Sequence, residues 1–225
     1  MSIRVLAIDG SFLKHSDGTM RRTEGRLTTL LRDALGAAEN EAERFDFNAE
    51  VNLIHLHEVI PELGFYNGDL HRLPKKCIGL FEEMLNADAV IFGSPVVWYS
   101  TSSLMKSFIE YITVLEHGPD QLQKYFPDRV LKKKRQLSGK LMGIITTCNE
   151  DGGQMVANTM AAPLSDMGFH LPKGCMFYQN TNVMERSEDS WQTTYQRLVG
   201  QNIVRMFALM HGMQIDPNDW ELREE

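Results

Sequence analysis

Residues 89–111 read AVIFGSPVVWYSTSSLMKSFIEY, and the order of textures in this stretch decides the fold class. Ala89, Val90, Ile91 and Phe92 are a run of pure hydrophobe, the pattern of a strand covered on both faces in a parallel sheet. The run breaks at Gly93-Ser94-Pro95 and passes two adjacent aromatics, Trp98 and Tyr99. Leu104, Phe108, Ile112 and Leu115 then recur at helical spacing. A buried strand, a polar break and an amphipathic helix are the parts of a βαβ unit.

The same alternation recurs on both sides. Upstream, residues 3–8 (IRVLAI) and 51–56 (VNLIHL) are strand candidates, separated by a helix striped with Leu27, Leu30, Leu31 and Leu35. Pro74 suits the first turn of a helix whose apolar stripe is Ile78, Phe81 and Leu85. Downstream, 141–145 (LMGII) and 175–178 read as strands. Between them Val156, Met160, Leu164 and Met167 form a helix closed by Gly168. Trp191, Tyr195, Leu198, Met206 and Met210 stripe a last helix ending at Gly212. Five alternations predict an α/β fold, a doubly wound five-stranded parallel sheet with helices on both faces. Residues 1–225 read as a single domain with long loops at about 9–23 and 117–138 and an extended C-terminal helix.

Composition narrows the function. With 23 basic against 30 acidic residues and a net charge of −7, the chain does not look like an electrostatic nucleic-acid binder. No run approaches 18 apolar residues, so no membrane partner is expected. Cys77, Cys148 and Cys175 are odd in number and widely spaced, which fits reduced thiols in a cytoplasmic protein better than a disulfide framework. GxxxxGK[ST] and GxGxxG are both missing from the first loop, and GxSxG is missing throughout.

Ligands of open α/β sheets bind beyond the carboxyl ends of the strands. After the first strand come Asp9-Gly10-Ser11 and a polar loop with Lys14, Ser16, Thr19, Arg21, Arg22 and Thr23, suited to a phosphate or simply solvated. After the third, Trp98 and Tyr99 suit a flat heteroaromatic ligand, the core or a subunit interface. After the fourth comes TTCNEDGGQ (146–154), whose paired glycines permit close backbone approach to a ligand.

Together these loops resemble the NADPH-dependent FMN reductase family of the flavodoxin-like superfamily. GSPVVWYSTSSLMKSFIEY (93–111) is similar to that family's GSPVYWYSxSxxMKxFIDR over nearly its whole length, and TTCNEDGGQ resembles its TxGGxxGGQ turn. The resemblance implies strand order 2-1-3-4-5 and an FMN cofactor with NADPH or NADH as reductant. It further implies hydride transfer to flavin N5 and on to a small-molecule acceptor such as a quinone or free flavin, in a homodimer or homotetramer. By the same resemblance Ser11 and the helix start at Arg26 and Leu27 hold the phosphate, with Leu27 offering only its backbone N–H. Pro95, Val96, Val97, Trp98 and Tyr99 lie along the ring and ribityl chain, and Thr147, Cys148, Asn149, Gly152 and Gly153 touch the ring's other edge. No catalytic side chain and no metal ligand is expected. The cysteine cluster of the iron–sulfur relatives is missing from 60–66, which excludes a four-thiolate cluster. A flavodoxin-type electron carrier and a flavin-free scaffold of the same fold are the alternatives.

Other residues carry less. His55 and His57 would share one strand face, but no Cys/His pair completes a zinc site. Asp9 ends the first strand as in phospho-receiver domains, yet the third strand lacks their acidic partner. The basic run at 132–135 (KKKR) is a solvated face or a contact for a nicotinamide cofactor's phosphates. Cys148 stands where the family has glycine and reads best as a buried, inert thiol.

Overall fold

A computed structural model describes residues 1–12, 25–59, 75–117, 119–130, 136–149, 151–180, 191–216 and 220. Strand β1 (Ser2–Asp9) sends Ile3, Val5 and Ala7 into one core and Leu6 and Ile8 into another. Burial on both faces is why the strand sequences are nearly continuous hydrophobe. β1 pairs in parallel with β2 (Asn48–His55) and β3 (Ala89–Val97), β3 with β5 (Leu141–Cys148), and β5 with β6 (Met176–Asn180). The path β2-β1-β3-β5-β6 is the expected 2-1-3-4-5 order with one addition. That addition is β4 (Ser100–Thr101), which pairs antiparallel with β3.

Helices cover both faces. α1 (Arg26–Arg44) and α7 (Trp191–Met210) lie on one, packing Leu27, Leu30, Leu31 and Leu35 near Val199, Ile203 and Phe207. α3 (Lys75–Asn86), α4 (Ser103–His117) and α6 (Gly153–Asp166) lie on the other, around Phe81, Phe108, Ile112, Met160 and Leu164. Two short helices, α2 (Leu56–Val59) and α5 (Pro119–Tyr125), complete the described elements.

Several expectations are corrected. β3 does not stop at Phe92; it runs through Gly93-Ser94-Pro95 to Val97. β1 pairs with β3 only as far as Gly93, so Pro95 sits where one side of the strand has become an edge, the place a sheet tolerates proline. His57 is not on a strand face with His55: the chain turns into α2 at Leu56, although the two rings still lie 5.5 Å apart. The stretch 117–138 is not all loop, because α5 lies within it. On α7, Tyr195 and Met210 are exposed, and the buried face runs through Leu198, Val199, Ile203, Val204, Phe207 and Ala208. That face is centred on the small residue Gly200, where α7 meets α1 most closely, and a stripe chosen from the largest side chains misses it. The first-loop residues 13–24, Pro74, the segment 60–66 and the basic run 132–135 lie outside the described residues, as do the side chains of Leu115 and Trp191.

Candidate functional site

The carboxyl ends of β1, β3 and β5 lie side by side, and a chain of hydroxyls locks the loops after β1 and β3 together. Gly10 N donates to Gly93 O at 2.8 Å. Ser102 Oγ donates to Gly10 O at 2.7 Å and accepts from Met105 N at 3.1 Å, capping α4 as it does so. Ser102 N in turn donates to Ser94 Oγ at 3.0 Å. The strand-one and strand-three loops are therefore held as one body by buried bonds.

Beyond Pro95 and Val96 the chain makes a tight hairpin. Val97 pairs with Ser100, so Trp98 and Tyr99 are its two turn residues, with φ of 48° and 58°. Two left-handed residues are what a two-residue hairpin of this twist requires. For side chains larger than asparagine the conformation costs roughly 1–3 kcal/mol per residue, and such strain gathers at ligand sites. The turn lifts Trp98 to 93% exposure, while Tyr99 leans back over the β5 loop. A Cβ on Gly152, itself at φ 92°, would stand 2.9 Å from Tyr99 Cδ1, and one on Gly153 would stand 2.9 Å from Tyr178 Cβ. The paired glycines thus make room for two tyrosines of the same chain. Between the loops lies a groove of about 270 Å³ lined by Val96, Trp98, Tyr99, Cys148, Asn149 and Asp151. Thr147 is half-buried opposite Pro95, and Thr146 Oγ1 donates to Gly153 O at 3.0 Å.

A polar corner lies at the other end. Ser11 is 8% exposed, and its Oγ has no hydrogen-bond partner among the described residues. Nearby, α1 starts after Gly25 without a side-chain cap. Arg26 is exposed there, whereas the Leu27 side chain is buried in the core. Under Ser11 sits Asp9, fully buried. Its Oδ1 accepts from Ser11 N at 2.8 Å and its Oδ2 from Thr28 Oγ1 at 2.6 Å, with His55 Nδ1 at 3.2 Å. Burial opposes ionisation of Asp9, but bonds from His55, Thr28 and the Ser11 backbone N–H outweigh it and hold the carboxyl below its ordinary range. The bond to Asp9 lifts His55 above its ordinary value against the effect of burial, aided by the charges of Asp9 and Glu58 and opposed by Arg32. The pair therefore stabilises the fold between these two titrations. That stability is lost as pH falls through the lowered Asp9 value or rises through the raised His55 value.

A family model described as NADPH-dependent FMN reductase matches residues 3–181. The chain belongs to the NADPH-dependent FMN reductase family. It is accordingly an NAD(P)H-dependent flavoprotein oxidoreductase whose cofactor is FMN. Solved structures are similar in fold. RosB, solved with 8-demethyl-8-formylriboflavin-5'-phosphate bound, has a TM-score of 0.64 at 16% identity, over 99% of this chain and 95% of that one. An oxidoreductase from Corynebacterium diphtheriae has a TM-score of 0.64 at 15% identity, over 92% and 98%. The NADH:FMN oxidoreductase EMOB has a TM-score of 0.59 at 17% identity, over 98% and 95%. No curated protein matches the chain.

The residues present in this FMN reductase suit a flavin phosphate. A buried hydroxyl with no partner among the described residues, beside a helix start with no side-chain cap, is a donor set for an anion, and an aromatic-walled groove suits a flat ring. Of the residues expected at the ring, Val96, Trp98, Tyr99, Cys148 and Asn149 line the groove, joined by Asp151, which the sequence reading did not single out. Pro95, Val97, Thr147, Gly152 and Gly153 are not among its lining. Ser11 follows β1, while Arg26 and Leu27 open α1. Asp9, Thr28, His55 and Ser102 were not legible as site residues, because their bonds join segments far apart in sequence. Cys148 is buried, and burial raises its thiol above the ordinary value. Burial pushes Cys77 up to about 12 and raises Cys175 as well, so all three stay protonated near neutral pH. Among the described residues, no group of acidic, histidine or cysteine side chains could hold a metal ion, and no helix is long and apolar enough to cross a membrane.

Proposed function

We propose that the enzyme moves a hydride from NADPH or NADH through FMN to a small flat acceptor, of which quinones and free flavins are the leading chemical classes. The observation that carries this reading is a juxtaposition on one sheet end: the buried Ser11 hydroxyl, which has no hydrogen-bond partner among the described residues, lies on one side and the Trp98–Tyr99 groove on the other. FMN, when bound, would supply the redox chemistry between the nicotinamide and the acceptor. The protein's work is then to bind, orient and exclude water. Ser11 and the backbone N–H groups of Arg26 and Leu27 hold the phosphate, and the positive end of the α1 dipole favours it. Pro95, Val96, Val97 and Tyr99 lie along the ring and ribityl chain. Thr147, Cys148, Asn149, Gly152 and Gly153 meet its opposite edge. No side-chain acid or base is needed, and the buried thiol of Cys148 supplies shape rather than a thiolate.

Trp98 is the residue assigned to the acceptor, because its ring is exposed and is lifted by a strained turn to the lip of the groove. Trp98→Ala should leave stability within about 0.5 kcal/mol, as at other exposed positions. KM for a flat quinone should rise about three- to tenfold, the worth of one aromatic contact, with kcat little changed. Steady-state NAD(P)H consumption with the FMN-loaded protein checks this. An unchanged KM would remove Trp98 from the acceptor face, and negligible consumption by the wild type would favour a carrier of single electrons. A cytoplasmic, reducing compartment belongs to the same reading and is supported by three buried cysteines that form no disulfide among the described residues. Assembly as a homodimer or homotetramer belongs to it too, supported by the exposed apolar side chains of Val97 and Trp98.

A further inference from the structure

We propose that Asp9 and His55 form a proton-carrying pair beneath the phosphate end of the site. The protein then takes up a proton as it binds a flavin phosphate ester and binds a phosphate-free flavin without one. The inference rests on the flavin reading above and adds a determinant which that reading does not contain.

The geometry sets the problem. An anion cradle is served by N–H and O–H donors, yet here a fully buried carboxylate lies directly under it. Asp9 Oδ1 takes the backbone N–H of Ser11, and Oδ2 takes the hydroxyl of Thr28 in the first turn of α1. The carboxylate thus touches both segments assigned to the phosphate. A negative charge so placed repels a dianion, and low-dielectric surroundings strengthen the repulsion. Among the described residues, the cation in contact with it is His55, whose side chain is 16% exposed, with Nδ1 3.2 Å from Oδ2. Protonated, His55 cancels Asp9; neutral, it leaves a bare charge below the cradle.

Among the described residues, the other charged or titratable groups around His55 are Glu58 and His57 on α2 and Arg32 on α1, one turn beyond Thr28. The charge of Glu58 favours the proton on His55 and that of Arg32 disfavours it. A phosphate arriving above Asp9 adds negative charge and so strengthens the hold of His55 on its proton. Linkage makes the effect reciprocal: the proton on His55 strengthens the hold on phosphate. Riboflavin, which carries the same ring and no phosphate, has nothing for the pair to sense.

The test is a titration of FMN and of riboflavin into the apo-protein, followed by quenching of flavin fluorescence, at pH values above the phosphate's second ionisation near about 6. The dissociation constant for FMN should rise with pH beyond the His55 titration, by up to about tenfold per pH unit at its steepest. The constant for riboflavin should stay flat, and His55→Gln should bind FMN weakly without the slope. Should that variant fail to fold, wild-type imidazole NMR decides: the His55 midpoint should move up on adding FMN and stay put on adding riboflavin. A flat FMN curve, a slope shared by riboflavin, or a slope kept in His55→Gln would overturn the pair while leaving the flavin site standing. Binding of neither flavin would overturn both.

Discussion

Glu41→Ala should lower stability by about 3–5 kcal/mol, because it leaves a buried guanidinium without its counter-charge. Arg205 lies wholly out of solvent on α7, with Nε 2.9 Å from Glu41 Oε1 on α1. Its Nη1 donates to Asn202 Oδ1 at 2.9 Å, and Nη2 has no partner among the described residues. Glu41 also accepts from Arg44, but Arg44 is partly exposed and water can replace that bond. The buried pair itself is not expected to be a large net source of stability, since two desolvated charges recover little more than their desolvation. Loss of one partner and loss of both therefore have different outcomes. Glu41→Ala should lower Tm on the order of 10 °C, at 2–4 °C per kcal/mol for a chain of this size. Glu41→Leu combined with Arg205→Met should recover most of that loss. Thermal unfolding of the three proteins checks the point. A double variant no better than the single one would mean that packing, not the orphaned charge, sets the cost.

Gly200→Ala and Gly36→Ala, the same chemical change on two facing helices, should act with opposite signs. Alanine is favoured over glycine inside a helix by about 1 kcal/mol. A Cβ on Gly36 meets nothing within 4 Å, so this variant should gain up to that amount. A Cβ on Gly200 would stand 1.8 Å from Ala34 O and 2.9 Å from Ala34 C, which is backbone and cannot swing away. The two helices must separate, opening the layer where Ala34 and Ala38 meet Val199 and Ile203. Overpacking of this kind costs about 1–3 kcal/mol or more, which outweighs the propensity gain. Denaturant midpoints at unchanged m-value would show both effects. The seam also bears on function, because α1 carries Arg26 and Leu27 at its start. A displaced α1 should therefore weaken FMN retention together with stability.

How much of this was readable beforehand follows from the range of the interactions. The strands were legible because burial on both faces leaves nearly unbroken hydrophobe, and the helices because period and caps are local. The hairpin at Trp98–Tyr99 was not. No Asn-Gly or Asp-Gly marks it, and the turn is imposed by the pairing of Val97 with Ser100 against the residues' own preferences. The aromatics themselves were legible as site residues, since adjacent Trp and Tyr at a strand end call for a partner surface. The glycine pair was legible as a close approach, but the sequence does not tell that Tyr99 and Tyr178 are what approaches. Asp9 and His55 stand 46 residues apart, and only the parallel pairing of β1 with β2 sets them opposite each other. Glu41 and Arg205 are 164 residues apart, and nothing in the sequence ties one to the other. Such contacts depend on crossing geometry, which a single sequence does not display.

The most direct test of the flavin site is the visible spectrum of the protein after incubation with excess FMN and desalting. A retained yellow flavin band that bleaches on anaerobic addition of NADPH or NADH is the result predicted here. A colourless protein after desalting, with no rise in melting temperature in the presence of FMN, would contradict the assignment of Ser11, the α1 start and the Trp98–Tyr99 groove to the cofactor.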